Sequence, residues 1–588
     1  MRRTHTCGEL NHSNKGKKVI LQGWVRNKRH HGQLVFLDLQ DRYGLTQIVF
    51  NAEHSKNLEG AAHLSKESII EIKGIVKLRP KGTENKKINT GEVEVEIESF
   101  EVLSIADQPL PIEVDEHLIA NEEQRLKHRY LDLRRPEMQR NIIFRHRITK
   151  CIRDILDKKE FLEIETPMLA KSTPEGARDF LIPSRVHQGN FFALPQSPQL
   201  YKQILMASGF DRYFQIVRCF RDEDLRSDRQ PEFTQLDIEM SFIDEPDITE
   251  VIEDLFAQIF KEILGKKLKT PFIRLPYSDA LNKFGSDKPD TRFEMHLVDV
   301  CSALKNSELG ILNSVLESKG SIKAINVKKG GDLSKKEIEK LIDVAKLYGA
   351  KGMIPVKILD KGEIQSPVSK FLTKQNIEEL IKIMGAKTGD LILVIADNWS
   401  TACTSLGMVR LALAKKMNLI DQSKFNFLWV VDFPLFEWDD KEQRFKAKHH
   451  PFTAPDKSSM DLFEKNPEKA LARAYDIVLN GFEIGGGSIR ISNAKLQQQM
   501  FNVLGINAEQ ANQKFDFLLN AFKYGIPPHG GIALGLDRLA MVLLNTNSIR
   551  DVIAFPKNKS SIALMESAPS SVTNEQLKEV GIKLDLTK

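Results

Sequence analysis

At 588 residues the chain exceeds the usual size of one hydrophobic core, so roughly two to four domains are expected. Lys plus Arg number 85 against 80 Asp plus Glu, and a formal charge of +5 pulls only weakly on a polyanion, so nucleic-acid contacts have to come from local patches. The five cysteines, Cys7, Cys151, Cys219, Cys301 and Cys403, lack paired-ligand spacing, Met1 to His5 opens no apolar signal, and no run approaches about 18 apolar residues; the expectation is a cytoplasmic protein without a structural zinc site or a membrane span.

The N-terminal segment alternates apolar and polar positions over Val19 to Val25, Leu34 to Leu39, Thr46 to Phe50, Ile69 to Val76 and Val93 to Ile97, which predicts five strands. Asp41-Arg42-Tyr43-Gly44 reads as a hairpin turn and Asn57 to Lys66 as a helix, so residues 1–106 suit a five-stranded OB barrel that binds single-stranded nucleic acid. Arg26, Lys28 and Arg29 cluster after Trp24, with Phe36 and Gln47 on neighbouring predicted strands. An aromatic face stacks an unpaired base for roughly 1–3 kcal/mol, cations meet phosphate, and Gln reads a base edge; the plain alternative puts Phe36 in the barrel core. Pro109, Pro111 and the charged run Glu122 to Arg135 mark a hinge over 107–135.

A second domain begins at 136. Ile143, Ile148, Ile152, Ile155 and Leu156 recur at helical spacing, and Phe161 to Thr166 is a short extended run ended by Pro167. Further on, Arg221 and Glu223 lie two apart, placing both on one side of a strand, and Asp224 to Gln230 reads as the loop to an antiparallel return strand. Phe233, Gln235 and Asp237 repeat that spacing, and burying such polar groups beside an aromatic is costly without a ligand. Between 290 and 425, Leu333 to Glu337 reads as a helix start and Leu391 to Ile395 as a buried strand.

His449-His450-Pro451-Phe452 has no nearby Cys or H-E-x-x-H partner, so it reads as a mobile substrate loop rather than a zinc site. Asp476 and Glu483, seven apart, share one helical face or meet on a strand and its approach, a weak metal signal. Gln196 to Lys202 and Phe482 to Arg490 bring opposite charges together around small residues, the requirement of a ligand carrying both signs, whereas lone versions would be surface ion pairs. Gly530 to Arg538 is too apolar for a phosphate loop and reads as a strand running into a helix, with Arg538 placed to stack on a purine or meet a terminal phosphate. Residues 557–588 form a polar extension with a short helix.

The stretches Cys219 to Asp237 and Gly535 to Arg538 closely resemble motifs 2 and 3 of the class II aminoacyl-tRNA synthetases, and the wording of motif 2 resembles bacterial-type aspartyl-tRNA synthetases of subclass IIb. The unit from Arg140 to Pro167 resembles motif 1, which implies a homodimer. The resemblance implies an α+β fold: the OB barrel reads the anticodon, and an antiparallel catalytic sheet flanked by helices spans 136–289 and 426–556, interrupted by an inserted α+β domain over 290–425. The reaction it implies is ATP-dependent activation of L-aspartate and transfer to tRNA, with magnesium as cofactor and neither DNA nor membrane as partner.

Residue by residue, the resemblance puts Arg221 on the ATP α-phosphate, Glu223 at the adenine amino group and Phe233 under the ring. Gln230, Gln235, Glu483, Gly535 and Arg538 complete the ATP site, and Arg221, Glu483 and Arg538 are the catalytic set. Arg490 and Lys202 take the aspartate side-chain carboxylate; Glu175, Ser197, Gln199 and Asp237 surround its ammonium, and His449 and His450 approach the bound amino acid. Asp476 and Glu483 arrange magnesium, and Arg29, Phe36, Gln47 and Glu94 hold the anticodon. Enzymes restricted to tRNA(Asp) usually carry Asp-Leu-Gly where this chain has His30-His31-Gly32, whereas many that also charge tRNA(Asn) carry His-Gly. His31 therefore implies a non-discriminating enzyme whose aspartyl-tRNA(Asn) feeds an aspartyl/glutamyl-tRNA amidotransferase; the alternative is a discriminating enzyme for tRNA(Asp) alone. An asparaginyl or lysyl enzyme fits Gln199, Lys202, Asp237 and Arg490 less well, and retention of Arg221, Glu223, Glu483 and Arg538 argues against an inactive RNA-binding regulator.

Overall fold

A computed structural model describes residues 2–32, 34–51, 63–115, 120–173 and 176–586. The chain forms two compact units, Met1–Gln139 and Arg140–Lys588.

In the first unit, β1 (Lys18–His31), β2 (Leu34–Asp41), β3 (Gly44–Asn51), β4 (Ile69–Leu78) and β5 (Val93–Ser104) close into a barrel of order β1-β2-β3-β5-β4. Period-two patterning does this: Leu21, Val25, Leu37, Leu39, Ile72 and Val95 alternate inward and are fully buried. The predicted turn is present, with the Asp41 carboxylate accepting from the Tyr43 and Gly44 N–H groups at 2.8 and 3.2 Å. The helix expected at Asn57 to Lys66 lies largely outside the described residues. The segment read as a hinge forms two short helices, Glu122–Lys127 and Arg129–Asp132, and belongs to this unit. Buried Asp132 anchors it by pairing with Arg125, Arg129 and Arg135 at 2.9, 2.5 and 3.0 Å.

The second unit opens with the expected long helix, Pro136–Lys158, which begins just before the unit boundary. Strands β6 (Leu162–Glu163), β7 (Phe180–Pro183), β8 (Phe191–Leu194), β9 (Arg212–Phe220), β10 (Glu232–Ser241) and β11 (Ile273–Pro276) follow. The insertion contributes β12 (Val298–Asp299), β13 (Ser321–Val327), β14 (Ile354–Ile358), β15 (Ile364–Gln365) and β16 (Leu391–Asp397). The remaining strands are β17 (Phe427–Val431), β18 (Phe436–Asp439), β19 (Arg444–Ala447), β20 (Ala474–Leu479), β21 (Phe482–Ile489) and β22 (His529–Gly535). The main sheet is eight-stranded, ordered β11-β17-β20-β21-β22-β10-β9-β6 and antiparallel except at its two outer pairs.

The insertion folds on its own five-stranded sheet, β12-β13-β16-β14-β15. Its predicted helix start holds: Ser334 caps Lys335–Leu347 in a reciprocal box with Glu337. Helices Lys335–Leu347 and Trp399–Lys416 share one apolar cluster with Leu391, Leu393 and Ile395. Among the described residues no helix is long and apolar enough to cross a membrane.

Strand alternation decides where the site lies. On β10, Leu236, Ile238 and Met240 join the main apolar core, so Gln235, Asp237 and Glu239 emerge on the opposite face of the sheet. Chain crossings bring β10, β21 and β22 side by side, with Asp237 opposite Ala533 and Gly486 opposite Ala533 on its other side. Residues about three hundred positions apart in sequence thus share one polar face.

Candidate active site

That face forms the floor of a cavity of about 670 Å³. Gln199, Arg221, Asp237, His449 and Arg538 all line it, and each holds a buried side-chain N or O atom with no hydrogen-bond partner among the described residues. Such atoms cost stability unless a ligand completes them, so their convergence marks a binding site.

The deep end is ionic. Lys202, on the helix Gln199–Ala207, places Nζ 2.9 Å from Asp237 Oδ1 and 3.2 Å from Glu239 Oε2. Arg490 grips Glu239 through Nε and Nη2 at 2.9 and 3.0 Å and donates from Nη1 to Ser488 Oγ at 2.7 Å. Burial alone would raise the Glu239 carboxyl, but Arg490 and Lys202 outweigh it and hold the group down at about 2. Asp237 moves the other way: its desolvation exceeds the help from Lys202, so its carboxyl lies above the usual range. It is a carboxylate that gains from an incoming cation. Gly531 makes room for the arrangement, because a Cβ there would collide with Glu239 Oε2 and the Ile238 carbonyl.

His450 caps this end. Burial, followed by the neighbouring Arg490, keeps its imidazole neutral by holding the pKa well below the ordinary value. Two donors nevertheless address the ring: Phe452 N–H reaches Nδ1 at 3.1 Å and Arg490 Nη1 lies 2.5 Å from Nε2. A neutral imidazole accepts at only one of its nitrogens, and Ser488 Oγ, 2.7 Å from Arg490 Nη1 and 3.4 Å from His450 Nε2, is the alternative acceptor.

The shallower end is a shelf. Arg221 sits over the Phe233 ring, 5.1 Å from its centroid, a pair able to sandwich or flank a planar base. Here the structure corrects the sequence reading, because β9 ends at Phe220 and places Arg221 and Glu223 in the start of the loop rather than on a strand. Glu223 pairs with Arg229 at 3.0 Å. Gln230 lines the cavity, but its amide is committed to Lys557, accepting from its N–H at 2.8 Å and donating to its carbonyl at 3.0 Å. Gln235 accepts a thiol bond from Cys219 at 3.1 Å. The expected strand-to-helix passage is present: β22 ends at Gly535 and the helix Leu536–Leu543 begins. Arg538 is aimed from it, donating to the Glu483 carbonyl at 2.6 Å and pairing with Asp228 at 3.3 Å.

Asp476 and Glu483 both line the cavity from the β20-β21 hairpin, which removes the one-helix-face alternative. Burial first, and the adjacent Glu483 charge, push the Asp476 carboxyl up, while His449 at 3.3 Å offsets part of the shift. Gly486 opposite gives the Asp476 carboxylate its space. No group of three or more His, Cys, Asp and Glu residues with metal-binding geometry occurs among the described residues, so protein ligands alone do not complete a cage.

Ser197 lines the cavity and accepts from Gln199 N–H at 3.3 Å, whereas Glu175 lies outside the described residues. Sequence reasoning missed Glu239 and Ser488. Glu239 was discoverable, standing two residues beyond Asp237 on the same strand face; Ser488 acquires meaning only through Arg490 folding back on it.

In the barrel unit, Arg29 pairs with Asp38 at 2.9 Å and donates to Gln47 at 3.2 Å, and Gln47 donates to Glu94 at 2.8 Å. Phe36 lies directly across from Arg29 on β2 and is half-buried, not a core residue. Arg26 leaves the predicted cluster, since it is tied to Glu67 and Gln40, and Lys28 donates to the Leu64 carbonyl. Asp38, not anticipated, orients Arg29. His31 is exposed at the end of β1, beside Gly32 in a left-handed turn.

A class II synthetase core with an OB-fold partner unit is what this sheet and its cavity define, and the family comparisons agree. Residues 121–559 match the model of the class II tRNA synthetases (D, K and N), and residues 19–103 match the OB-fold nucleic acid binding domain. The chain belongs to the class II tRNA synthetases of that D, K and N group. It is 51% identical over 587 residues to an Aspartate--tRNA(Asp/Asn) ligase of Caldanaerobacter subterraneus subsp. tengcongensis, covering 100% of this chain and 99% of that one. It is also 51% identical over 584 residues to an Aspartate--tRNA ligase of Halalkalibacterium halodurans, covering 99% and 98%. Among solved structures, asparaginyl-tRNA synthetase from Pyrococcus horikoshii complexed with asparaginyl-adenylate has the same fold, with TM-score 0.60 and 21% identity over 95% of this chain and 98% of that one.

Proposed function

We propose that the protein ligates L-aspartate to the 3' end of tRNA(Asp), through aspartyl-adenylate, and also charges tRNA(Asn). The observation that carries the substrate reading is the buried Lys202–Asp237–Glu239–Arg490 set, which offers both signs of charge at one end of the cavity. Arg490 Nη1 and Lys202 receive the side-chain carboxylate, while Asp237, with Gln199 and Ser197, receives the ammonium. Asparagine supplies no negative charge to Arg490 and sets its own NH₂ against these donors. A charge-assisted hydrogen bond contributes roughly 1.5–3 kcal/mol, so each misplaced contact costs about tenfold or more in selection. Glu175 belongs to the ammonium side by resemblance alone.

ATP occupies the shallow end. The adenine stacks between Phe233 and Arg538, with Glu223 at its amino group, and Arg221 meets the α-phosphate. Gln230 and Gly535 serve as backbone-holding wall rather than direct side-chain contacts, since the Gln230 amide is already engaged with Lys557. Magnesium fits the site through Asp476 and Glu483: two carboxylates, with substrate phosphates and water filling the remaining positions, match this ion's habit of keeping few protein ligands. When bound it supplies charge neutralisation at the phosphates.

The reaction needs no protein nucleophile. The aspartate α-carboxylate, fixed by its two other charged groups, attacks the α-phosphorus in line with departing pyrophosphate, and Arg221 stabilises charge on the phosphoryl oxygens. The terminal ribose hydroxyl of tRNA then attacks the adenylate carbonyl and AMP leaves. His449 and the neutral His450 close over the amino acid and exclude water. The barrel holds the anticodon through Arg29, Phe36, Gln47 and Glu94, and His31 admits both C and U at the third anticodon base. Two relatives of equal identity carry different specificities in their names, so overall similarity does not choose between them, and the His31-Gly32 wording favours the dual form. On that reading the aspartyl-tRNA(Asn) is passed to an amidotransferase. The motif 1 resemblance supports a homodimer, and the absence of a membrane-crossing helix among the described residues is consistent with a cytoplasmic enzyme.

Amino-acid-dependent ATP–pyrophosphate exchange tests the assignment. Aspartate is expected to drive exchange, with asparagine and lysine at background; exchange driven by asparagine or lysine overturns it. Charging of purified tRNA(Asp) and tRNA(Asn) then tests the dual specificity.

A further inference from the structure

The cavity has a wall that the assigned contacts leave unused. It is formed by Asp287 and Lys288, on the strap leading from the helix Tyr277–Phe284 into the insertion. Gly285 starts the strap in a left-handed turn, packed so closely on the insertion helix Trp399–Lys416 that a Cβ there would collide with the Cys403 carbonyl and Gly407. Arg410 of that helix is fully buried and donates to the carbonyls of Asp290, Phe293 and Met295 at 3.0, 3.0 and 2.9 Å, with its guanidinium 3.9 Å from the Phe293 ring centroid. On its other side the strap rests on the β20-β21 turn: Asp290 lies against Gly481, and Asn426 donates to the Thr291 carbonyl at 3.1 Å. A buried cation spent on main-chain carbonyls, with no carboxylate bound to it among the described residues, fixes a backbone path. That path ends with two side chains in the cavity.

The charge balance on this wall identifies what those side chains meet. Asp287 adds a third carboxylate to the cavity lining beside those of Asp476 and Glu483. Of the other cations lining the cavity, Lys448 is committed to Glu437 at 2.9 Å, Arg229 to Glu223 at 3.0 Å and Arg538 to Asp228 at 3.3 Å, while Arg221 and Arg226 stand on the loop after β9. Lys288 is exposed and lines the cavity, and it has no ion-pair partner among the described residues. A polyphosphate approaching three carboxylates needs a free cation, and a lysine ammonium on a flexible stem meets phosphate oxygens as a point charge.

We propose that Lys288 binds the β- and γ-phosphates of ATP, and hence the departing pyrophosphate, and that the insertion helix holds it there through the strap. This rests on the reading of the cavity as an ATP site. It gives the insertion a direct part in activation: the domain braces the residue that receives the leaving group.

The test compares wild type with Lys288→Ala and Lys288→Arg, using calorimetric binding of ATP and of AMP at fixed magnesium, together with KM for pyrophosphate in aspartate-dependent exchange. Lys288→Ala is expected to weaken ATP and pyrophosphate about tenfold while AMP affinity and KM for aspartate stay within twofold, because AMP lacks the phosphates concerned. Lys288→Arg is expected to restore most of the loss. Unchanged ATP and pyrophosphate constants in Lys288→Ala overturn the proposal, as does an equal loss for ATP and AMP, which would place Lys288 at the adenosine or in the fold. Failure of the ATP reading itself looks different: wild type would then show no aspartate-dependent exchange at all.

Discussion

Replacing Arg490 with Leu separates the two jobs this residue performs. Its Nε and Nη2 are bound to Glu239, and only Nη1, beside Ser488 and His450, is directed toward the amino-acid side. Leu keeps aliphatic volume but leaves Glu239, which is fully buried, with Lys202 as its remaining cationic partner. Breaking one arm of a buried pair costs about 3–5 kcal/mol, largely from the stranded charge. Loss of the single arm facing substrate costs roughly 1.5–3 kcal/mol of aspartate binding, a drop of about 10- to 150-fold in kcat/KM. Stability and catalysis are therefore both expected to fall, for different reasons. Adding Glu239→Gln to Arg490→Leu removes the stranded carboxylate and is expected to recover part of the stability in urea unfolding without recovering aspartate-dependent exchange. Arg490→Leu with aspartate kcat/KM within threefold of wild type would refute the assigned contact. A double variant no more stable than the single one would refute the stranded-charge argument.

The pH dependence of the same pair has a defined sign. Glu239 is lowered from 4.5 to about 2, so its stabilising contribution is complete above pH 4.5 and is lost as the pH falls toward 2. The stability gap between wild type and Glu239→Gln should be flat from pH 7 to about 4.5 and shrink below it, whereas a gap that widens on acidification contradicts the depressed carboxyl. Gly531→Ala introduces a Cβ against Glu239 Oε2 and the Ile238 carbonyl; overpacking should cost about 1–3 kcal/mol and raise KM for aspartate more than KM for ATP. Equal effects on both substrates would show that the glycine serves the sheet alone. His31→Leu is expected to lower charging of tRNA(Asn) about tenfold relative to tRNA(Asp), as roughly 1–2 kcal/mol of discrimination implies, and wild type that charges only tRNA(Asp) efficiently would dismiss the dual reading while leaving aspartate activation intact.

Local order determined much of this protein. The alternating runs of the first unit contain their own inward face, so five strands and the Asp41 turn follow from residues adjacent in sequence, and the same holds for the Ser334–Glu337 capping box and the strand-to-helix passage at Gly535. Phe233, Gln235 and Asp237 were legible because a pleated strand sends every second side chain to one face. Tertiary structure alone decided how the charges are spent. Arg26, adjacent in sequence to the anticodon candidates, is consumed by Glu67, while Arg29 is left facing outward and aligned by Asp38. Lys202, Glu239 and Arg490 come from a helix, a strand and the residue just after β21, and Lys288 lines the cavity from a strap whose next residues, Asp290 and Phe293, are held through their carbonyls by Arg410 of the insertion. Ion pairing and desolvation depend on distances through space, between groups that strand crossings bring together; residue order along the chain fixes which side chains are available, and only folding fixes which of them remain free to meet a ligand.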